Sequence, residues 1–119
     1  MINAVINEEK LTLMMHGHAE GERNDMDHDL ICGIASAYAC QLVYSVHGHG
    51  YGEVTGKLDP GDTDLVVVPA TGRVMACKRV LRHVEDGLRM LEETHPMCIA
   101  VATNKKGKLD YHKAMDSLT

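Results

Sequence analysis

The apolar residues of this chain alternate in some segments, as in a strand, and recur every three or four positions in others, as in a helix. In residues 11–18 they alternate with other residues, which is the period of a half-buried strand. From Asp29 to Gly48 they recur at helical spacing, and a second helical stretch follows Thr71. Because each spacing suits one type of element, the pattern predicts the element order β-β-α-β-β-α-β.

The boundaries of these elements follow from turn and capping residues. Asp29 is a plausible N-cap of the first helix and Thr71 of the second, with Gly48 and His95-Pro96 at the two helix ends. The turn Asp59-Pro60-Gly61-Asp62 separates the third and fourth strands. Strands are predicted over residues 1–6, 11–18, 51–58, 64–70 and 97–103. We expect one α+β domain over residues 1–119, built as a two-layer sandwich with two helices on a mostly antiparallel sheet, and a loosely held tail over residues 104–119 with a short helical turn.

Composition restricts how the core of this domain can be filled. Among 119 residues there is no Phe and no Trp, while 45% are hydrophobic. The sequence therefore predicts a core of Leu, Ile and Val supplemented by the eight Met and four Tyr residues. A chain of this length can bury such a core without disulfides or metal ions.

Charge and cysteine usage narrow the classes of function. The formal net charge of −5 argues against sequence-independent binding of nucleic acid, which normally needs a basic face. The four cysteines contain no C-x-x-C pair, so thiols in a reducing cytoplasm are the simplest interpretation. The first residues include neither a basic region nor a long apolar run, and we expect no signal peptide and no membrane span.

Reactive side chains are concentrated in one stretch. His16-Gly17-His18-Ala19 is followed by a polar loop and then by Cys32. With Asp29 as the N-cap, Cys32 falls in the first helical turn, where the helix dipole and a nearby imidazolium favour a nucleophilic thiolate. Strand alternation places His16 and His18 on the same face, and His18, beside the loop, is better placed to meet Cys32.

Three other interpretations stay open at this point. Cys32 could be a small buried apolar residue, which is the commoner fate of a cysteine. The chain could be a binding domain without catalytic activity. A zinc site is a third option, although tightly paired ligand spacing is missing; its ligands would come from His16, His18, His28, Asp29 and Cys32. The segment His47-Gly48-His49-Gly50 repeats the His-Gly-His spelling, and we interpret it as a turn with solvated histidines.

The residues around His18 and Cys32 resemble a known family. Gly17-His18-Ala19, a polar loop, and His28-Asp29-Leu30-Ile31-Cys32-Gly33-Ile34-Ala35-Ser36 are similar to the motif of the ribosomal-processing cysteine proteases, called Prp. That motif is Gly-His-Ala, a loop, then Asp-Ile-Val-Cys-Ala-Ala-x-Ser. Leu30-Ile31 and Gly33 depart mildly from it. The resemblance implies that Cys32 is the nucleophile and His18 the general base, with supporting positions at Asp29, Ser36 and Gly17.

The resemblance also implies an activity. Prp proteases are typically bacterial, cytosolic homodimers that remove a short N-terminal extension from a protein of the large ribosomal subunit; a phage structural protein is an alternative target. No metal or other cofactor is expected. The N–H groups of Ile31 to Gly33 are candidate oxyanion donors. Residues 20–28 would order over the substrate as a lid, which includes Gly21, Asn24, Asp27 and His28.

Overall fold

A computed structural model describes residues 1–18, 26–104 and 110–118, with the backbone alone for residues 26–29. The predicted order β-β-α-β-β-α-β is confirmed, and a short C-terminal helix follows where a helical turn was expected. The elements are β1 (Ile2–Asn7), β2 (Thr12–His16), α1 (Met26–Gly48), β3 (Gly52–Asp59), β4 (Asp62–Pro69), α2 (Val74–Thr94), β5 (Ile99–Thr103) and α3 (Tyr111–Asp116).

The five strands form one mixed sheet in the order β3-β4-β2-β1-β5. Three of its four strand pairs are antiparallel, and only β1 and β5 are parallel, so the predicted mostly antiparallel sheet is confirmed. The strand β2 pairs with β4 rather than with β3, and His16 lies opposite Asp62 in that pair. This non-consecutive pairing brings the β3–β4 turn to the end of β2.

Both long helices cover the same face of the sheet. The alternate residues of each central strand are buried against them, and the core includes Leu13, Leu65, Ile31, Leu42 and Leu88. The opposite face exposes Val5, Met14, Val66 and Val68. A sheet with helices on one face is the predicted two-layer sandwich.

The two helices approach each other closely at Gly87. A Cβ atom added there would collide with the ring of Tyr38 on α1. From Leu30 to Gly48, α1 offers 19 residues that by length and composition alone could cross a membrane. Its buried residues recur at intervals of three and four, as in a core helix of a globular domain; they are Ile31, Ala35, Ala39, Leu42 and Val46.

Several predicted details are wrong. The first helix begins at Met26, so Asp29 is an internal helical residue and not the N-cap; the polar start of the helix carries no apolar stripe to reveal it. The N-cap of α2 is Arg73 rather than Thr71, and its side chain makes no capping hydrogen bond. The core of the described residues also uses little methionine: Met15 is buried, whereas Met14, Met75 and Met97 are exposed.

Candidate active site

Cys32 is a half-buried residue in the second turn of α1. Because the helix begins at Met26, Cys32 is its seventh residue, beyond the first turn to which the field of a helix end is mainly confined. The first-turn placement predicted from the sequence is therefore wrong. For the same reason the N–H groups of residues 31–33 lie within the helical hydrogen-bonding pattern, which argues against them as oxyanion donors.

His18 does not share a face with His16, contrary to the strand-based prediction. The strand β2 ends at His16, and Gly17 adopts a left-handed φ of +98°. This conformation interrupts the alternation of side chains and turns His18 towards the helix layer. Gly17 also donates a backbone hydrogen bond to Gly61 (3.0 Å), and a Cβ atom on Gly17 would collide with the carbonyl oxygen of Met1.

His18 and Cys32 line the same small cavity, between the end of β2 and the start of α1. Its volume is about 60 Å³, enough for roughly two water molecules. The remaining lining residues come from the strands, the helix and the β3–β4 turn; they are Ile2, Met15, Gly17, Ala35, Pro60, Gly61 and Thr63. The arrangement places an imidazole and a thiol at one recess, which is the pairing needed for a thiolate nucleophile.

The other predicted site residues have different positions. Gly17 lines the cavity, whereas Ser36 is exposed one helical turn after Cys32 and does not line it. Asp29 lies in α1, but its side chain is outside the described residues. Of the predicted lid, Gly21 and Asn24 lie outside the described residues, while Asp27 and His28 belong to the backbone of α1 rather than to a loop.

The sequence did not reveal the contribution of the β3–β4 turn. Pro60, Gly61 and Thr63 form one side of the cavity, and the ring of His18 packs against Gly61. The motif Asp59-Pro60-Gly61-Asp62 identified a turn and nothing more. Its proximity to His18 depends on the pairing of β2 with β4, which no local pattern encodes.

His16 belongs to a separate charged cluster on the exposed face of the sheet. Its Nδ1 lies 3.2 Å from Asp62 Oδ1, and its Nε2 lies 3.1 Å from Asp64 Oδ1. The Lys57 ammonium is 2.5 Å from Asp62 Oδ2 and holds the pKa of that carboxyl below its usual range. The side chains of His16, Asp62 and Asp64 are close enough to one another to hold a metal ion. Neither His18 nor Cys32 belongs to this group, and the side chains of His28 and Asp29, two further zinc ligands considered from the sequence, lie outside the described residues.

Comparisons with known proteins identify the fold. No family model matches the chain, and no curated protein matches its sequence. Solved structures do match: the essential ribosomal processing protease Prp from S. aureus, in complex with a covalently linked product peptide, is 21% identical, with a TM-score of 0.68 over 87% of this chain and 100% of that one. The chain has a Prp-like fold.

Two further structures support this conclusion. The S. aureus Prp in complex with a substrate peptide is 20% identical over the same shares of the two chains, also with a TM-score of 0.68. SMU.848 from Streptococcus mutans is 14% identical, with a TM-score of 0.67 over 86% of this chain and 90% of that one. At these identities the likeness to Prp establishes the fold, and any argument about chemistry depends on the residues of this chain.

Proposed function

We propose that this chain is a cysteine endopeptidase in which Cys32 is the nucleophile and His18 is the general base. The observation that carries the proposal is the shared cavity: a thiol from α1 and an imidazole from the end of β2 line one recess of about 60 Å³. The two residues are 14 positions apart and come from different elements. The local motif around them resembles that of Prp, and the fold is similar to the Prp fold.

The proposed reaction is acyl transfer through a thioester. His18 accepts the thiol proton, and the Cys32 sulfur attacks the carbonyl carbon of the scissile peptide bond. When the tetrahedral intermediate collapses, the carbon–nitrogen bond breaks and His18 returns the proton to the leaving amine. Water then hydrolyses the thioester, which releases the acyl product and regenerates the thiol.

An apolar groove on two of the elements that also line the cavity suits an extended peptide. The groove has a volume of about 480 Å³ and lies between α1 and the β3–β4 hairpin. Both the cavity and the groove are lined by α1 and by the β3–β4 hairpin. In the hairpin, Thr63 lines the cavity, and its cross-strand partner Leu58 lines the groove. From Cys32 to Cys40, which also lines the groove, α1 advances about 12 Å, the length of roughly four extended residues.

The proposed substrate is the N-terminal extension of a large-ribosomal-subunit protein precursor. The S. aureus Prp structures contain a substrate peptide or a covalently linked product peptide, and the motif resemblance of this chain points to the same class of substrate. By the same resemblance we propose a cytoplasmic homodimer. A phage structural protein is the alternative substrate for the same chemistry.

The deciding experiment compares matched variants on the ribosomal-protein precursor of the same organism, with products identified by mass spectrometry. Cys32→Ser is paired with Cys98→Ser, a cysteine that lines neither the cavity nor the groove. His18→Ala is paired with His16→Ala, which lies outside the cavity. We expect Cys32→Ser and His18→Ala to abolish cleavage while retaining the unfolding temperature, and both controls to cleave normally.

Two outcomes would contradict the proposal. Cleavage by Cys32→Ser at the wild-type rate would show that Cys32 is not the nucleophile. Cleavage by His18→Ala at the wild-type rate would show that His18 is not the general base. If the wild-type protein leaves the ribosomal precursor intact but cleaves a phage structural protein, the chemistry stands and the substrate assignment is wrong.

A further inference from the structure

A second cavity lies in the cleft between α1 and α2, away from the candidate active site. Its volume is about 260 Å³, and it shares no lining residue with the cavity of His18 and Cys32. Along α1, Gln41 and Ser45 follow Cys32 by about 14 and 20 Å. Six residues provide its polar and aromatic lining: Gln41, Ser45, His49, Tyr51, Arg79 and His83.

The lining of this cavity is basic, although the chain as a whole carries a net charge of −5. It contains one guanidinium and two imidazoles, and no lining residue is acidic. Among the described side chains, those of residues 1–18, 30–104 and 110–118, Arg79 has no carboxylate partner, whereas Arg82 on the same helix is paired with Glu8 at 2.6 Å. The cavity therefore presents positive charge that no described side chain neutralises.

The position of Arg79 in α2 does not account for its charge. This helix has no acidic residue in its first turn and no basic residue in its last turn. Arg73 lies just before the helix, where positive charge opposes the helix dipole, whereas Arg79 is the sixth residue, beyond the first turn. The helix end therefore gives no reason for the guanidinium of Arg79, and a negative ligand at the cavity supplies one.

The connection that carries His49 is held in place before any ligand binds. The His49 ring stacks on Tyr51 with a centroid distance of 5.2 Å. Tyr51 donates its N–H to Val46, and its carbonyl oxygen accepts hydrogen bonds from Ala70 N–H and from the Cys77 thiol. A preorganised site loses less free energy when it binds a ligand.

We propose that this cavity binds the phosphate group of a small phosphate monoester. The planar fork of Arg79 matches the geometry of phosphate oxygens, and His49 and His83 offer further donors from the two sides of the cleft. Ser45 and Gln41 supply neutral hydrogen-bond donors. The volume exceeds that of one phosphate group, and Tyr51 and Val80 provide apolar surface for an attached carbon skeleton.

The test is a binding titration of the full chain with phenyl phosphate, inorganic phosphate and succinate at constant ionic strength. Calorimetry gives the affinities, and nuclear magnetic resonance locates the shifted residues. We expect saturable one-to-one binding of phenyl phosphate, tighter than that of inorganic phosphate, with shifts around Ser45, Tyr51 and His83. The dicarboxylate succinate should bind more weakly than phenyl phosphate.

Arg79→Gln is the diagnostic variant, and Arg73→Gln is its control. Both remove one guanidinium near the start of α2, but only Arg79 lines the cavity. Loss of a charge-assisted contact should weaken binding about 10-fold or more in Arg79→Gln, and Arg73→Gln should bind like the wild type. If Arg79→Gln fails to fold, as its unfolding curve would show, His83→Gln replaces it.

Three results would overturn the assignment: equal weakening in Arg73→Gln, no saturable binding of phenyl phosphate, or equally tight binding of succinate. The site does not depend on the proposed peptidase chemistry. Cys32→Ser should bind phenyl phosphate with unchanged affinity, so failure of one proposal is distinguishable from failure of the other.

Discussion

The imidazole of His18 lies directly against the α-carbon of Gly61. A Cβ atom added at Gly61 would come within 2.5 Å of both Nε2 and Cε1 of the ring, much closer than non-bonded heavy atoms pack. The ring can lie at this position because the β3–β4 turn has no side chain at residue 61. Gly61 is a positioning residue for the proposed general base.

Gly61→Ala should reduce peptide cleavage far more than it reduces stability. The new methyl group displaces the His18 ring, and a displacement of about 1 Å at a reacting group can lower the rate roughly 100-fold. The control is Gly72→Ala: Gly72 has nearly the same φ, +77° against +75°, but nothing lies within 4 Å of an added Cβ. Both variants place a side chain at a left-handed φ. Equal cleavage by the two, measured as kcat beside their unfolding temperatures, would contradict the positioning role.

Gly33→Ala should stabilise the protein. Gly33 is an exposed residue inside α1, and an added Cβ meets nothing within 4 Å. Alanine in place of glycine within a helix contributes about 0.5–1 kcal/mol. Urea unfolding measures the change, and precursor cleavage should persist because the methyl group points away from other atoms. A loss of stability would mean that α1 is not helical at this position in solution.

Gly87→Ala should have the opposite effect, although Gly87 is also helical. Its Cβ would collide with the Tyr38 ring of α1. Overpacking of this kind costs about 1–3 kcal/mol. The same unfolding assay on Tyr38→Ala and on the double variant gives the coupling energy. The penalty of Gly87→Ala should largely vanish without Tyr38, and independent, additive effects would argue against this contact.

The four cysteines should react with iodoacetamide in a fixed order. Cys77 and Cys98 are buried, Cys32 is half-buried and Cys40 is exposed. If His18 activates Cys32, that thiol reacts faster than Cys40 despite its lower exposure. Peptide mapping by mass spectrometry at near-neutral pH identifies the order. Faster labelling of Cys40 than of Cys32 would count against the nucleophile, and rapid labelling of Cys77 in the native state would contradict its burial.

Cys77 should lower the free energy of unfolding as the pH becomes alkaline. Burial raises the pKa of the Cys77 thiol, which donates a hydrogen bond to the Tyr51 carbonyl at 3.3 Å. The unfolded chain then loses this proton first, from the ordinary cysteine pKa of about 8.5 upwards. The free energy of unfolding should therefore fall as the pH rises from there towards the folded pKa. Cys77→Ala should show a shallower decline in denaturation curves between pH 8 and 10, and an unchanged slope would exclude this thiol as the cause.

Local patterns in the sequence were sufficient for the order of the elements. The alternation in residues 11–18 corresponds to burial of Leu13 and Met15, and the helical spacing after Thr71 corresponds to burial of Cys77, Leu81, Val84 and Leu88. The start of α1 was missed because Met26-Asp27-His28 lacks an apolar period. The motif predicts that Cys32 and His18 lie near each other. It does not predict the backbone conformation that brings His18 to the cavity.

The placement of His18 depends on structural features that no local sequence pattern reveals. The left-handed conformation of Gly17 turns His18 away from the face of His16, which simple strand alternation cannot represent. Gly61 reaches His18 because β2 pairs with β4, a choice of partner made by the whole sheet. Single residues that act by lacking a side chain are recognised only when their neighbours in space are known.

The position of β2 inside the sheet affects how strongly the backbone next to the candidate site is protected from local unfolding. Among the strands that the structure describes, β2 is hydrogen-bonded to a neighbour on each side, whereas β3 and β5 each have one neighbour. Amide protons of β2 should therefore exchange with deuterium more slowly than those of the edge strands. His18 follows the slowly exchanging strand, while Gly61 lies in the turn that leads from the edge strand β3. The imidazole therefore extends from a strand that is paired on both sides, whereas the glycine that it packs against is reached directly from a strand paired on one side.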